Sequence, residues 1–343
     1  MNELFSAINL RPLHGLVADI GATNARFALA TLDQGDVSLR QALTLPCANY
    51  PNLAPALTDY FAKTGAERPD FAVFAVAGPV RGQAIRFTNN GWAFSARDIS
   101  SAFGFKNTRL VNDFTANAVA LPVLRTQDLA HLGGPKEPIA NAQAVRAVCG
   151  PGSGFGVSAL LGEGERAFPL HGEGGHVSFA PVDALEIEIL QQFTRDYGRV
   201  STERLLSGPG LCALDGFFAA RLGAPRHLTA GEVTQAALEG DRIAGQALDK
   251  FFEILGSVAG DLALTFGAEA GMYIAGGIVP RLINAIQTSR FRTRFDDKGR
   301  LSYFVTAIPT YAILRGDLAL VGCGAALRQV ADSADAALTS ALS

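Results

Sequence analysis

The residues best equipped for chemistry are Asn112 and Asp113, within Arg109-Leu110-Val111-Asn112-Asp113-Phe114-Thr115. Arg109 to Val111 reads as the end of a short strand, and the apolar spacing from Thr115 onward suits a helix. The pair falls at a strand-to-helix junction, where α/β proteins direct side chains into a ligand crevice. Unpaired N–H groups and the helix dipole favour a carboxylate there as the anion, the state a general base needs before it accepts a proton. The same residue type also serves as a plain helix cap, and the junction taken alone favours that role. Two Gly-rich turns and two polar clusters elsewhere in the chain turn the reading toward a base.

The first turn is Gly21-Ala22-Thr23-Asn24, between the apolar runs Leu16–Ile20 and Phe27–Ala30. Strand, turn, strand is a β-hairpin, whereas the dinucleotide fingerprint and the P-loop both run from a strand into a helix. Small residues let backbone N–H groups approach an anion, and Thr23 and Asn24 add side-chain hydrogen bonds. An ordinary hairpin with a polar tip is the alternative. Asp19, inside the apolar strand, calls for a charge partner or a metal. The second turn, Gly150-Pro151-Gly152-Ser153-Gly154-Phe155-Gly156, lies between Ala147–Cys149 and Val157–Leu161 and repeats the organisation. Its four glycines cost entropy on folding, which points to a role beyond the turn itself. Two such hairpins could grip one polyphosphate from both sides, and the echo predicts an internal duplication.

His171-Gly172-Glu173-Gly174-Gly175-His176 invites a metal reading, but the spacing is not that of a zinc helix. Presentation of Glu173 and His176 to a polyhydroxylated ligand fits better, because carboxylate and imidazole bond directionally to hydroxyls. A simple polar turn remains the alternative. Ser201 reads as the N-cap of a short helical turn through Arg204, with Glu203 favouring its N-terminus. Gly276-Gly277 follows the buried run Met272–Ala275 and precedes a helix through Ile286. Glycines at such a place let backbone meet a flat ligand or a phosphate. Thr88-Asn89-Asn90-Gly91-Trp92 is a polar loop with the only tryptophan, either lining a cleft or turning at the surface.

The elements that must position these residues are those of a buried α/β chain. A length of 343 residues allows two domains or one large α/β body. A hydrophobic fraction of 48% and a mean hydropathy of +0.20 support a sizeable core. Phe71–Ala77 reads as a buried strand ending in a Gly78-Pro79 turn, and Gly133–Asn141 as a loop. Leu211–Ala220 reads as a helix with Pro209 in its first turn, and Thr229 with Glu232 as a capping box. Asp241–Phe266 reads as a long helix packed through Gly256 and Gly260, and Leu318–Val330 as another, packed through Gly322 and Gly324. Residues 331–343 are Ala/Ser-rich and expected to fray.

The net charge of −3 gives no reason to expect nucleic acid. Cys47, Cys149, Cys212 and Cys323 stand far apart and read as reduced thiols. There is no basic-then-apolar leader pattern, and no apolar run reaches the roughly 18 residues of a membrane span. Phe251–Phe266 carries Glu253 and Asp261 and reads as a core helix. The expectation is a cytoplasmic protein without membrane partners.

The ordered segments LVADIGATNARFAL, TNNGWAFS, VNDFTA, VCGPGSGFGV, HGEGGHVSFAP, VSTERLLSGPGL and YIAGGIVPR resemble the bacterial-type glucokinases of the hexokinase, actin and Hsp70 superfold. FRTRFDDKGR and the C-terminal helix extend the likeness, and the zinc-binding cysteine motif of the related repressor/kinase proteins is absent. The resemblance implies a two-domain actin-like ATPase (ribonuclease H-like) α/β fold, with five-stranded mixed sheets and an interdomain cleft. Residues 1–111 and 316–343 would form the smaller domain and 112–315 the larger. It implies ATP-dependent phosphorylation of glucose to glucose 6-phosphate, with Asp113 deprotonating the sugar 6-hydroxyl. Asn112, Asp113, Glu173, His176 and Glu203 match positions that bind glucose, and Glu203 enters on the resemblance alone. Asp19 matches the carboxylate that holds Mg²⁺. Gly21, Thr23, Asn24, Gly152, Ser153 and Gly154 match phosphate contacts, and Gly276 and Gly277 the adenosine site.

A homodimer is implied as well. Kinases for another hexose or an N-acetylhexosamine, and a non-catalytic sugar sensor, are the competing readings. The short segment before Leu16 holds no helix-turn-helix, which counts against a DNA-binding sensor. Two departures from the family pattern bear on ATP. Ala22 replaces a second glycine, harmless where φ is negative, and Pro151 removes an N–H donor from the second turn.

Overall fold

The structure, a computed structural model, describes residues 11–87, 91–138, 141, 143–164 and 167–342, with 335–342 described by backbone alone. Of the loop Thr88–Trp92, residues 88–90 lie outside the described residues. The chain forms two compact units: residues up to 124 with 163–167 and those from 317 onward, and residues 125–162 with 168–316.

The first unit begins with β1 (Leu13–Ile20), β2 (Asn24–Asp33), β3 (Asp36–Pro46), α1 (Leu53–Thr64) and β4 (Phe71–Val76). It continues through β5 (Ala84–Arg86), β6 (Ala93–Ser95), α2 (Ala96–Phe103), β7 (Asn107–Asn112) and α3 (Asp113–Ala120). β1, β2 and β3 form an antiparallel meander, and β4 and β7 add parallel to β1, giving the order β3-β2-β1-β4-β7. Alternation along β1 sends Leu16, Ala18 and Ile20 into a core with α1 and α2, and Val17 into a second core on the opposite face. Trp92 is 1% exposed in the first core, and its indole N–H donates to the Tyr50 carbonyl at 3.1 Å, so it anchors its loop.

The second unit holds β8 (Leu129–Gly133), β9 (Val145–Pro151), β10 (Phe155–Leu161), β11 (Phe168–His171), α4 (Ala184–Tyr197), α5 (Gly208–Arg221), α6 (Ala230–Leu238) and α7 (Arg242–Phe266). After these come β12 (Met272–Ile274), α8 (Ile283–Thr288), α9 (Phe291–Asp296), α10 (Ser302–Thr306) and β13 (Thr310–Ile313). The sheet order is β11-β10-β9-β12-β13-β8, with β9, β12 and β13 parallel. Five of its strands repeat the first sheet in order and direction, so the expected duplication is visible in topology. The expectation of five strands fails here: β8 adds a sixth, antiparallel to β13.

The long helix packs as its glycines require. A Cβ at Gly256 would strike the Phe291 carbonyl, and one at Gly260 the Phe295 carbonyl, so α7 and α9 meet backbone to backbone. Asp241 caps α7, accepting from Ala244 N–H at 2.8 Å, and the Thr229–Glu232 capping box starts α6. Ser207 caps α5, with Pro209 in its first turn. Ser201 makes no side-chain cap; it pairs as an isolated bridge with Ser178.

The chain then returns to the first unit as α11 (Leu318–Ala325) and α12 (Leu327–Leu342), which cover the second face of its sheet. The expected single helix over 318–330 is two, broken at Ala326. The first unit also keeps α3, so its chain leaves after residue 124 rather than after 111. The reason is packing: a Cβ at Gly322 of α11 would overlap the Ala116 carbonyl of α3, and only glycine lets the two helices approach this closely.

Candidate functional site

In the first unit the sheet register collects the expected residues along one edge. Ile20 pairs with Val76, and Val76 with Asn112, so the parallel strands β1, β4 and β7 end side by side. Two strand spacings put Asn112 about 10 Å from Ile20. The turn Gly21–Thr23, the Gly78-Pro79 turn and the Asn112–Asp113 junction therefore line up at the carboxyl ends, where open α/β sheets bind ligands.

Cap and acid divide between adjacent residues. Asn112 is the N-cap of α3, its Oδ1 accepting from Phe114 N–H at 2.9 Å and Thr115 N–H at 3.2 Å. Its amide also donates to the Gly78 carbonyl at 3.4 Å, tying β7 to the turn after β4. Asp113 is the first residue of α3, half-buried, and its Oδ1 accepts from Phe114 N–H at 2.9 Å. It sits in the positive end of the helix dipole without carrying the cap.

The first turn is an open hairpin tip. Gly21 N–H donates to the Asn24 carbonyl at 2.9 Å, while Ala22, Thr23 and Asn24 are exposed. Cys47 braces it from behind, its N–H donating to the Thr23 carbonyl at 2.8 Å and its Sγ lying 3.6 Å from the Gly21 carbonyl. Among the described residues, the non-glycine positions with positive φ are Gln34, Gln41 and Gln83. Ala22 thus stands in backbone that any L residue adopts, and its extra methyl carries no strain. Asp19 lies two residues from the turn on the face of Val17, its side chain 28% exposed. Burial pushes its carboxyl above the usual range, and Arg26, at 3.9 Å, pulls the other way.

The second unit gathers the other set. β9 runs through Gly150 and Pro151, so the turn proper is Gly152-Ser153-Gly154. Gly150 and Gly276 are glycines for packing. A Cβ on Gly150 would meet the Ala275 carbonyl, and one on Gly276, at φ +90°, the Pro151 carbonyl. The hairpin end and the Gly276-Gly277 loop after β12 are thereby held against each other. Pro151, buried at the end of β9, turns its carbonyl toward Gly276. Gly152 and Gly277 face open space.

Glu173 and His176 sit on a short turn, Gly174–His176, that packs on the same hairpin: a Cβ at Gly174 would strike Val157, and one at Gly175 the Phe155 carbonyl. Both side chains belong to exposed residues. Thr202 N–H donates to the Val177 carbonyl at 2.9 Å and Arg199 to the His176 carbonyl at 2.7 Å, bringing the Ser201–Arg204 segment alongside. Glu203 then places Oε2 2.9 Å from Phe155 N–H. Glu173, His176, Glu203 and the second turn are therefore neighbours around Phe155.

Sequence reading missed the contacts that hold these residues. Neither Asn112 as the cap nor Phe155 N–H as the partner of Glu203 carries a spacing signal. The Ser/Thr/Asp/Asn preference at N-caps was the one available hint for Asn112.

The three carboxylates of Asp183, Glu186 and Glu253 also converge within 4.8 Å in the second unit. Lys250 and Arg294 already occupy that cluster, at 2.9 Å and 3.1 Å from Asp183, so it reads as an ion-pair network rather than a metal centre. Among the described residues, no helix is long and apolar enough to cross a membrane.

Comparison with known proteins agrees with this geometry along nearly the whole chain. The glucokinase family model matches residues 16–330. A glucokinase of Caulobacter vibrioides is 46% identical over 316 residues, covering 91% of this chain and 95% of the relative. One of Chromohalobacter salexigens is 44% identical over 315 residues, covering 91% and 97%. The crystal structure of a glucokinase from an Antarctic psychrotroph superposes with a TM-score of 0.83 at 35% identity, covering 93% of this chain and 99% of that one. With the doubled sheet, the paired hairpins and the Asn112–Asp113 junction in place, these matches show that the chain belongs to the glucokinase family.

Proposed function

We propose that the protein transfers the γ-phosphoryl group of ATP to the 6-hydroxyl of glucose, giving glucose 6-phosphate and ADP. The observation that carries this is the family match over residues 16–330, joined to an acid at the N-terminus of α3 whose cap is supplied by its neighbour. Asp113 accepts the proton of the 6-hydroxyl as that oxygen forms its bond to the γ-phosphorus and the bond to the β–γ bridging oxygen breaks. Base assistance of this kind is worth roughly 10²–10⁴-fold, or about 3–5 kcal/mol of barrier. Positioning and charge stabilisation supply most of the rest.

Glu173, His176, Glu203 and the Asn112 amide contact the remaining hydroxyls. Gly21, Thr23 and Asn24 in one turn, with Gly152 and Ser153 in the other, lie at the phosphates, and Gly276 and Gly277 at the adenosine. Asp19 suits a hard cation: it is a carboxylate in an apolar strand whose ion-pair partner stands 3.9 Å off. Asp19 would hold Mg²⁺ when the nucleotide is bound, and the cation would supply charge neutralisation for phosphoryl transfer. The family further suggests a cytoplasmic homodimer, which sedimentation at micromolar protein tests.

The decisive measurement is glucose-dependent ADP release by wild type and by Asp113→Asn, alongside a panel of hexoses and N-acetylhexosamines. Asp113→Asn is expected to lose roughly 10²–10⁴-fold in kcat with glucose binding largely retained. Unchanged turnover would remove Asp113 from the mechanism, and a preference for another sugar would move the substrate assignment.

A further inference from the structure

Gly154 is a glycine for a reason its own backbone does not supply. Its φ lies outside the positive range, so the conformation admits an L side chain. What excludes one is Glu203: a Cβ on Gly154 would stand 2.5 Å from Oε2 and 3.3 Å from Cδ. The neighbouring glycines differ in kind. Gly150, Gly175 and Gly276 would each strike main-chain carbonyls, which cannot retreat without loss of the fold. A carboxylate at the end of a flexible side chain can retreat, and it is the one group an alanine at position 154 would displace.

That carboxylate is held from the hairpin side. Its Oε2 accepts from Phe155 N–H at 2.9 Å. The Ser207 hydroxyl donates to the Glu203 carbonyl at 2.8 Å, Gly208 N–H to the Gly152 carbonyl at 2.8 Å, and Gly152 N–H to the Gly154 carbonyl at 2.8 Å. These bonds close a ring through Glu203, the hairpin tip and the start of α5.

We propose that Gly154 is a positioning residue for the sugar rather than a phosphate contact: its missing side chain leaves the space in which the Glu203 carboxylate is held. This rests on the reading of Glu203 as a glucose ligand. Gly154 acts through Glu203 alone, so the two turn glycines divide, with Gly152 serving the nucleotide and Gly154 the hexose.

Calorimetric titration with glucose and with a non-hydrolysable ATP analogue tests this on the full chain. Gly154→Ala is expected to fold, to weaken glucose binding by about tenfold or more, and to leave the analogue within about twofold. Gly152→Ala should do the reverse. Glu203→Asp withdraws the carboxylate, so in that background Gly154→Ala should cost less than about twofold further, a non-additivity that a general distortion of the hairpin would not give. The proposal is overturned if Gly154→Ala weakens the analogue as much as glucose, leaves glucose unaffected, or adds fully to Glu203→Asp. Glu203→Gln separates the two readings. If it leaves glucose affinity unchanged, Glu203 is no sugar ligand and both fall; if it weakens glucose while Gly154→Ala does not, the role of Gly154 alone falls.

Discussion

Asn112 and Asp113 divide the start of α3 between them. The Asn112 Oδ1 accepts from the N–H groups two and three positions on, while the Asp113 Oδ1 shares the Phe114 N–H. Asn112→Ala should therefore lower stability by about 1 kcal/mol in urea unfolding, and Asn112→Ser should recover most of it because serine is also a good cap. Equal stability of all three proteins would mean the cap is energetically idle. Asp113 was legible in the chain because a strand end followed by helical apolar spacing locates a junction. The division of labour was not, since Asn and Asp are nearly equivalent cap residues and only the backbone geometry separates them. Glu203 was still less legible: its partner is a backbone N–H at Phe155, distant in sequence and without a side-chain signature.

At the scale of elements, glycine has opposite meanings that the structure separates. Gly322 of α11 lies against the Ala116 carbonyl, whereas Gly245 in α7 faces open space. Gly322→Ala should force α3 and α11 apart at a cost of about 1–3 kcal/mol or more. Gly245→Ala should gain about 0.5–1 kcal/mol, the ordinary helical preference for alanine. Chemical denaturation of both variants checks the pair, and a neutral Gly322→Ala would contradict the close helix contact. The sequence carried the long helix α7 well, because cap, length and packing glycines all agreed. It carried β8, α9 and α10 poorly, since elements of five or six residues are shorter than a reliable period. FRTRFDDKGR marked the family but disclosed no role until the fold showed one. Arg292 donates to the Ile308 carbonyl at 2.8 Å, and Arg294 to Glu186 at 2.6 Å, so the motif fastens α9 to its surroundings.

Across the molecule, stability in acid should be set by the charge network of the second unit. Burial disfavours the Asp183 anion, but Glu186 N–H, Lys250 and Arg294 outweigh it and hold the carboxyl down to about 2, against its usual 3.8. A depressed carboxyl contributes fully above its unfolded value and loses that contribution as the pH falls through its folded value. Wild type should lose stability between pH 3.8 and about 2 more steeply than Asp183→Asn, which starts less stable at neutral pH because Lys250 and Arg294 lose a partner. Parallel profiles for the two proteins would rule out Asp183 as a source of the acid sensitivity.

The return of α11 and α12 to the first sheet has a consequence for synthesis. Val17, Ala28 and Val73 lie in a core completed by Leu320, Cys323 and Leu327. On the ribosome, that apolar face stays uncovered until residues 318–330 have left the exit tunnel, by which point residues 125–316 have all emerged. The face formed by Val17, Ala28 and Val73 is thus closed only after all of residues 125–316 have been made, and apolar surface stands open over that interval of translation.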